Sequence, residues 1–177
     1  MIKRQQSMSV IIGDKQRFLL HELVEDILVM KSKQLSNFDI QVIPDYKVFP
    51  DLEVDRSKLL QIIENLVGNA IDALKNKNGP KKLTIQIDNE NEQVIIIRIM
   101  DNGCGIEGKN LKSIFQFGFT TKGCEGHGFG LYSSIHLAKE IGGELTFASD
   151  GLDKGAVFSL KVPLQYPAHV LKPIFNP

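Results

Sequence analysis

The 177-residue chain lacks an excess of charge of either sign, with 21 Lys and Arg against 21 Asp and Glu. Polybasic nucleic-acid binders and membrane-surface binders depend on surplus positive charge, so neither class fits. A small anion held by a few local groups remains compatible with neutrality. Cysteine is scarce: Cys104 and Cys124 are too few for a secreted disulfide scaffold and lack the companions of a zinc site. They read as two reduced thiols of a cytoplasmic protein. No apolar run approaches the ~18 residues that a membrane helix needs, and the N-terminal Met-Ile-Lys-Arg-Gln-Gln-Ser has no signal-peptide core. Internal repeats and low-complexity segments are missing as well. No Gly-Lys-[Ser/Thr] closes a glycine run, which excludes a P-loop.

What is present is an ordinary globular composition, 42% hydrophobic and 24% charged, of a length that suits one domain. Of 15 glycines, 12 lie between Gly103 and Gly155. Apolar spacing predicts an amphipathic helix from Phe18 to about Leu35. Phe38 to Val42 alternates as a strand, and Pro44 and Pro50 bracket a loop. Asp55 is placed to cap a long helix ending near Lys75, and Asn78-Gly79-Pro80 marks a turn. Leu83 to Asp88 and Gln93 to Asp101 read as a hairpin. A glycine-rich region follows to Gly128, then a helix from Phe129 to Ile141 stopped by Gly142-Gly143. Leu145 to Phe147 and Ala156 to Val162 supply two more strands. Strands with one wet face imply a two-layer α/β sandwich: a mixed, mostly antiparallel sheet covered on one face by about three helices.

Three segments carry candidate chemistry. On the long helix, Gln61, Asn65, Gly68, Asn69 and Asp72 form a polar stripe opposite Leu59, Ile62, Ile63, Leu66, Val67, Ala70 and Leu74. Asn and Gly are poor helix formers, so this stripe serves either as a solvated face or as a ligand-binding one. Asn69 offers an oxygen suited to a hard cation beside phosphates. Asp101 ends a strand on the side of Ile95, Ile97 and Ile99, where a carboxylate needs donors from its own turn or from a bound base. The glycines at 118, 123, 126, 128 and 130 open onto a helix N-terminus, which suits a phosphate, and they would make a mobile lid within reach of Lys122.

In order, these segments resemble the ATP-binding catalytic domain of sensor histidine kinases, in the superfamily of gyrase, the heat-shock chaperone ATPase and the mismatch-repair ATPase. Glu64 to Leu74 resembles the asparagine box and Asp101 to Ile106 the first glycine box. Ile114 to Lys122 resembles the phenylalanine box and Gly126 to Leu131 the second glycine box. The resemblance implies that Asn69 coordinates Mg²⁺ with Asn65 beside it near the phosphates. It implies that Asp101 accepts from the adenine amino group while Gly103 and Gly105 admit the base. It implies too that Lys122, Gly126, Gly128 and Gly130 shape the triphosphate site. Ile106, Phe115, Thr121, His127, Phe129 and Leu131 join the ATP-binding set by position, His127 matching nitrogen-regulator-type members. Asp72 is counted with them, although many histidine kinases carry a basic residue there.

Gyrase-like members carry a water-activating Glu four residues before the Mg²⁺ asparagine. Here that position is Asn65, so transfer is expected rather than hydrolysis, with Asn65, Asn69 and Lys122 as the catalytic set. Glu64 lies about 100° round the helix and should not substitute. The phosphoacceptor motif of the family is missing, and His21-Glu22 reads as part of an ordinary helix. Residues 1–14 are expected to end a dimerisation-hairpin helix or form a linker, 15–164 to be the ATP-binding domain and 165–177 a tail. The implied partners are a dimerisation and phosphoacceptor domain of a larger kinase, whose membrane anchoring the sequence leaves open, and a response regulator receiver domain. Alone, the chain is expected to be monomeric and not to autophosphorylate. An anti-sigma-factor-type serine/threonine kinase and a non-catalytic ATP-sensing module share the same boxes.

Overall fold

In the N-terminal part of the chain the polypeptide alternates between short extended segments and two long amphipathic helices. The computed structural model describes residues 15–119 and 129–164. Strand β1 (Lys15–Leu19) leads into helix α1 (Leu20–Asn37), and β2 (Ile40–Tyr46) and β3 (Asp51–Asp55) precede helix α2 (Arg56–Lys75). The hairpin β4 (Lys81–Asn91) and β5 (Val94–Asp101) follows. Helix α3 (Gly130–Glu140), β6 (Glu144–Ala148) and β7 (Ala156–Pro163) complete the fold.

Five strands form one mixed sheet in the order β2-β4-β5-β7-β6, in which only β2 and β4 run parallel. Register places apolar side chains in rows: Ile85 faces Ile99, which faces Phe158, and Ile87, Ile97 and Leu160 make the next row. The helices bury their stripes on this face. All seven apolar residues expected on α2, from Leu59 to Leu74, are 2% exposed or less. Asp55 caps α2, its carboxylate accepting from the Lys58 N–H at 3.1 Å. At the other end of the fold, Gly142 at φ 77° closes α3, and the Gly143 N–H bonds back to the Ala138 carbonyl at 2.7 Å. The second sheet face is polar, with Arg98 donating to Gln86 and Gln86 to Asp45, each at 2.8 Å. Among the described residues no helix is long and apolar enough to cross a membrane.

The structure corrects three boundaries. The first helix begins at Leu20, because residues 15–19 pair antiparallel with 51–55 in a separate two-stranded ribbon. Strand β3 carries a legible alternation, with Leu52 and Val54 buried, in the stretch between the Pro44–Pro50 loop and the Asp55 cap, to which the sequence pattern assigns no element. Strand β2 continues through Pro44, which is tolerated because β2 is a sheet edge. The expected hairpin helix or linker at 1–14, the tail at 165–177 and the lid residues 120–128 lie outside the described residues.

Because α2 closes the core, Leu66→Ala should lower stability by about 2–5 kcal/mol in urea unfolding. Lys161→Ala, which removes an exposed pair with Glu90 at 2.8 Å, should leave the unfolding free energy nearly unchanged. Equal losses would overturn this ranking.

Candidate functional site

Helix α2 presents Gln61, Asn65, Gly68, Asn69 and Asp72 away from the core, half-buried or exposed. Two neighbours meet it. Near its middle, Asn65 Nδ2 donates to the Gly130 carbonyl at 3.3 Å and to Ser134 Oγ at 3.2 Å, joining α2 to the first turn of α3. Ser134 itself donates to the same carbonyl at 2.8 Å and is fully buried. Two turns later, the Cys104 N–H donates to the Ala73 carbonyl at 3.1 Å, seating the 101–106 loop under the end of α2. Asn65 and Ala73 are separated by about 12 Å along the helix axis.

Asp101 ends β5 between Leu83 of β4 and Ala156 of β7. Its Oδ1 accepts from the Gly103 N–H at 2.8 Å, and the Ala156 N–H also supports it. Burial outweighs these donors and pushes the carboxyl up to about 6. Asn102 turns the other way, accepting from the Lys82 N–H at 2.8 Å and donating to the Pro80 carbonyl at 3.0 Å. The loop glycines are required by protein backbone. A Cβ on Gly103 would stand 2.5 Å from the Ala73 carbonyl oxygen, and one on Gly105, at φ 68°, would collide with the carbonyl of Gly151.

The remaining sequence-predicted residues divide by position. Ile106, Phe115 and Leu131 are partly buried against the core, Phe115 lying edge-on to Phe147 at 5.3 Å. Phe129 and Phe117 stack edge to face at 5.0 Å, one on each side of residues 120–128. Gly130 begins α3 beside Asn65. Thr121, Lys122, Gly126, His127 and Gly128 lie outside the described residues, as does Cys124. His21 sits in α1, edge-on to Phe49 at 4.9 Å. Glu64 points its carboxylate to α1, where Lys31 Nζ stands 2.8 Å from Oε1. Sequence reasoning missed Ser134, although a serine at the core spacing of Leu131, Ile135 and Ala138 signals a buried hydroxyl. Asn102 and Lys31 carry no comparable signal.

A family model described as histidine kinase-, DNA gyrase B-, and HSP90-like ATPase matches residues 54–166. The chain belongs to this ATPase family. The sensor histidine kinase CitA of Klebsiella pneumoniae is 28% identical over 147 residues, covering 81% of this chain and 26% of CitA. The nucleotide-free catalytic domain of histidine kinase ThkA matches with a TM-score of 0.73 at 25% identity, over 85% of this chain and 97% of that one. Full-length ShkA in complex with AMPPNP shares the fold, with a TM-score of 0.77 at 19% identity over 89% of this chain and 33% of that one. The chain is thus an ATP-binding catalytic domain of the sensor histidine kinase type. It spans about a quarter of the length of CitA.

The burial of Asp101 has a pH signature. Its folded value, about 6, exceeds the ordinary 3.8, so the unfolded chain releases this proton first as pH rises. This group therefore subtracts stability between about pH 4 and 6, and the loss is complete above the folded value. Carboxyl NMR should give an Asp101 midpoint near 6, and Asp101→Asn should flatten the decline in unfolding free energy over that interval. A midpoint at the ordinary value would refute the buried environment.

Proposed function

We propose that this domain binds ATP along α2 and passes its γ-phosphoryl group to a histidine on a dimerisation domain outside the chain, from which a response regulator receiver domain is then served. Adenine sits at the Asp101–Ile106 loop, its amino group donating to the ionised Asp101. The phosphates lie toward Asn65, Asn69 and the start of α3; Lys122, Gly126, His127 and Gly128, outside the described residues, are assigned to them by the family resemblance. That α3, through Asn65, and the Asp101 loop, through Ala73, meet the same helix about 12 Å apart is the observation that supports one extended nucleotide. A Mg²⁺ ion would supply charge that offsets the developing negative charge on the transferred phosphoryl group. Asn69, half-buried on the polar stripe of α2, would hold it through its carboxamide oxygen beside the phosphates.

Transfer is favoured over hydrolysis by the chemistry at the middle of α2. A carboxamide takes up no proton, and Asn65 is held against α3. Glu64, the nearest carboxylate in sequence, is paired with Lys31. Catalysis then rests on positioning and charge stabilisation, with the acceptor histidine supplied by the partner domain.

Titration of the chain with a non-hydrolysable ATP analogue and Mg²⁺ should show binding, weakened at least tenfold in Asp101→Asn. Incubation with ATP alone should release little inorganic phosphate. Adding the parent kinase's phosphoacceptor hairpin should yield acid-labile phosphohistidine. An acid-stable product would favour the serine/threonine kinase reading, and brisk phosphate release would refute the role given to Asn65.

A further inference from the structure

The turn joining β6 to β7 lies directly against the loop that carries Asp101. Residues 149–155 place three backbones at positive φ, Gly151 at 111°, Asp153 at 59° and Gly155 at 73°. Asp153 is the costly one, because a residue with a Cβ is disfavoured in this region. It is kept there by its N–H, which donates to the Cys104 carbonyl at 2.8 Å. Gly151 fills the space that a side chain on Gly105 would need, and a Cβ on Gly155 would strike the Asp101 carbonyl. The turn is built to approach the 101–106 loop at backbone distance.

One side chain of the turn joins both backbones. Ser149 Oγ accepts from the Ile106 N–H at 3.0 Å and donates to the Gly155 carbonyl at 2.6 Å, with the Gly151 N–H at 3.4 Å. A hydroxyl has one proton to give and two lone pairs, so these contacts exhaust it. Its short donor bond closes the turn upon itself, and its acceptor bond reaches across to the loop. The loop is thereby gripped from two sides, by Ala73 of α2 through Cys104 and by Ser149 through Ile106.

We propose that Ser149 is a positioning residue for base recognition, setting Ile106 and Gly105 at a fixed height beside the Asp101 carboxylate. The inference rests on the reading of Asp101 as the adenine acceptor. Without the hydroxyl, the Ile106 N–H loses its acceptor and that end of the loop is freed, although the Asp153–Cys104 bond still holds its middle; the base site loosens while the phosphate side is untouched.

The test uses the full 177-residue chain. Binding of adenosine, of inorganic tripolyphosphate and of an ATP analogue is measured for wild type, Asp101→Asn, Ser149→Ala and Ser149→Thr, well below the melting temperature of each. Ser149→Ala should weaken adenosine and the ATP analogue about tenfold and leave tripolyphosphate unchanged. Ser149→Thr, which keeps the hydroxyl, should restore adenosine binding, and amide exchange at Ile106 should speed up in the alanine variant alone. A purely structural serine would lower the melting temperature and weaken both probes together, or neither, and either pattern overturns the proposal. If Ser149→Ala does not fold, Ser149→Cys, with a weaker acceptor of similar size, takes its place with the same expectations. If Asp101→Asn weakens adenosine while the Ser149 variants do not, only the role of Ser149 falls. If wild type fails to bind adenosine, or Asp101→Asn binds it normally, the base-site reading falls and the role of Ser149 with it.

Discussion

Everything at the site depends on how helix α2 lies on the sheet. Its apolar residues, Leu59 to Leu74, are sealed against the isoleucine rows of β4 and β5, so its rotation about its own axis has no freedom. A helix locked in rotation presents its opposite stripe at one angle, and that stripe holds Asn65, Asn69 and Asp72. Hydrophobic burial thus orients polar groups that it never touches. Turning the helix by one residue, 100°, would bury asparagines and expose leucines, a loss of several side-chain burials together.

Around that helix the site is assembled by backbone contact. Ala73 supplies a carbonyl to Cys104, Gly130 supplies one to Asn65, and Gly103, Gly105 and Gly155 are bare where neighbouring main chain comes too close for a Cβ. Such contacts are stiff, because a misplaced backbone group leaves an unsatisfied donor or a steric clash. The end of β5 is held from above by α2 and from beside by β7. That enclosure raises the Asp101 carboxyl, since burial there outweighs two N–H donors. Glu64 shows the same economy in reverse: its pairing with Lys31 ties α1 to α2 and occupies the carboxylate nearest to Asn65.

The legible parts of the fold were those with long periods. Twenty residues of α2, with Asp55 as cap and Lys75 as end, and the eight of β5 leave little ambiguity, because many side chains vote for one period. Strand β1 was illegible, since Lys15, Gln16 and Arg17 are exposed and pair only with β3, a partner 36 residues away at its centre. Pro44 misled for a related reason: proline marks a loop by default, and only the sheet order reveals an edge strand. At the site, the asparagines, Asp101 and the glycines stood out by residue type. Ser149 did not, because a serine in a turn is ordinary until its acceptor role across the fold is seen.

The chain by itself determined the helix and strand periods, the polar stripe on α2 and the carboxylate at the end of β5. These are local properties, readable wherever spacing and side-chain chemistry coincide. Only the tertiary structure decided that Asn65 is bonded to Gly130 and Ser134, that Glu64 is paired with Lys31, and that the 149–155 turn grips the Asp101 loop. Those contacts join residues 33 to 69 positions apart, and no periodicity records them. Their geometry comes from sheet order and helix rotation, which the whole core sets at once.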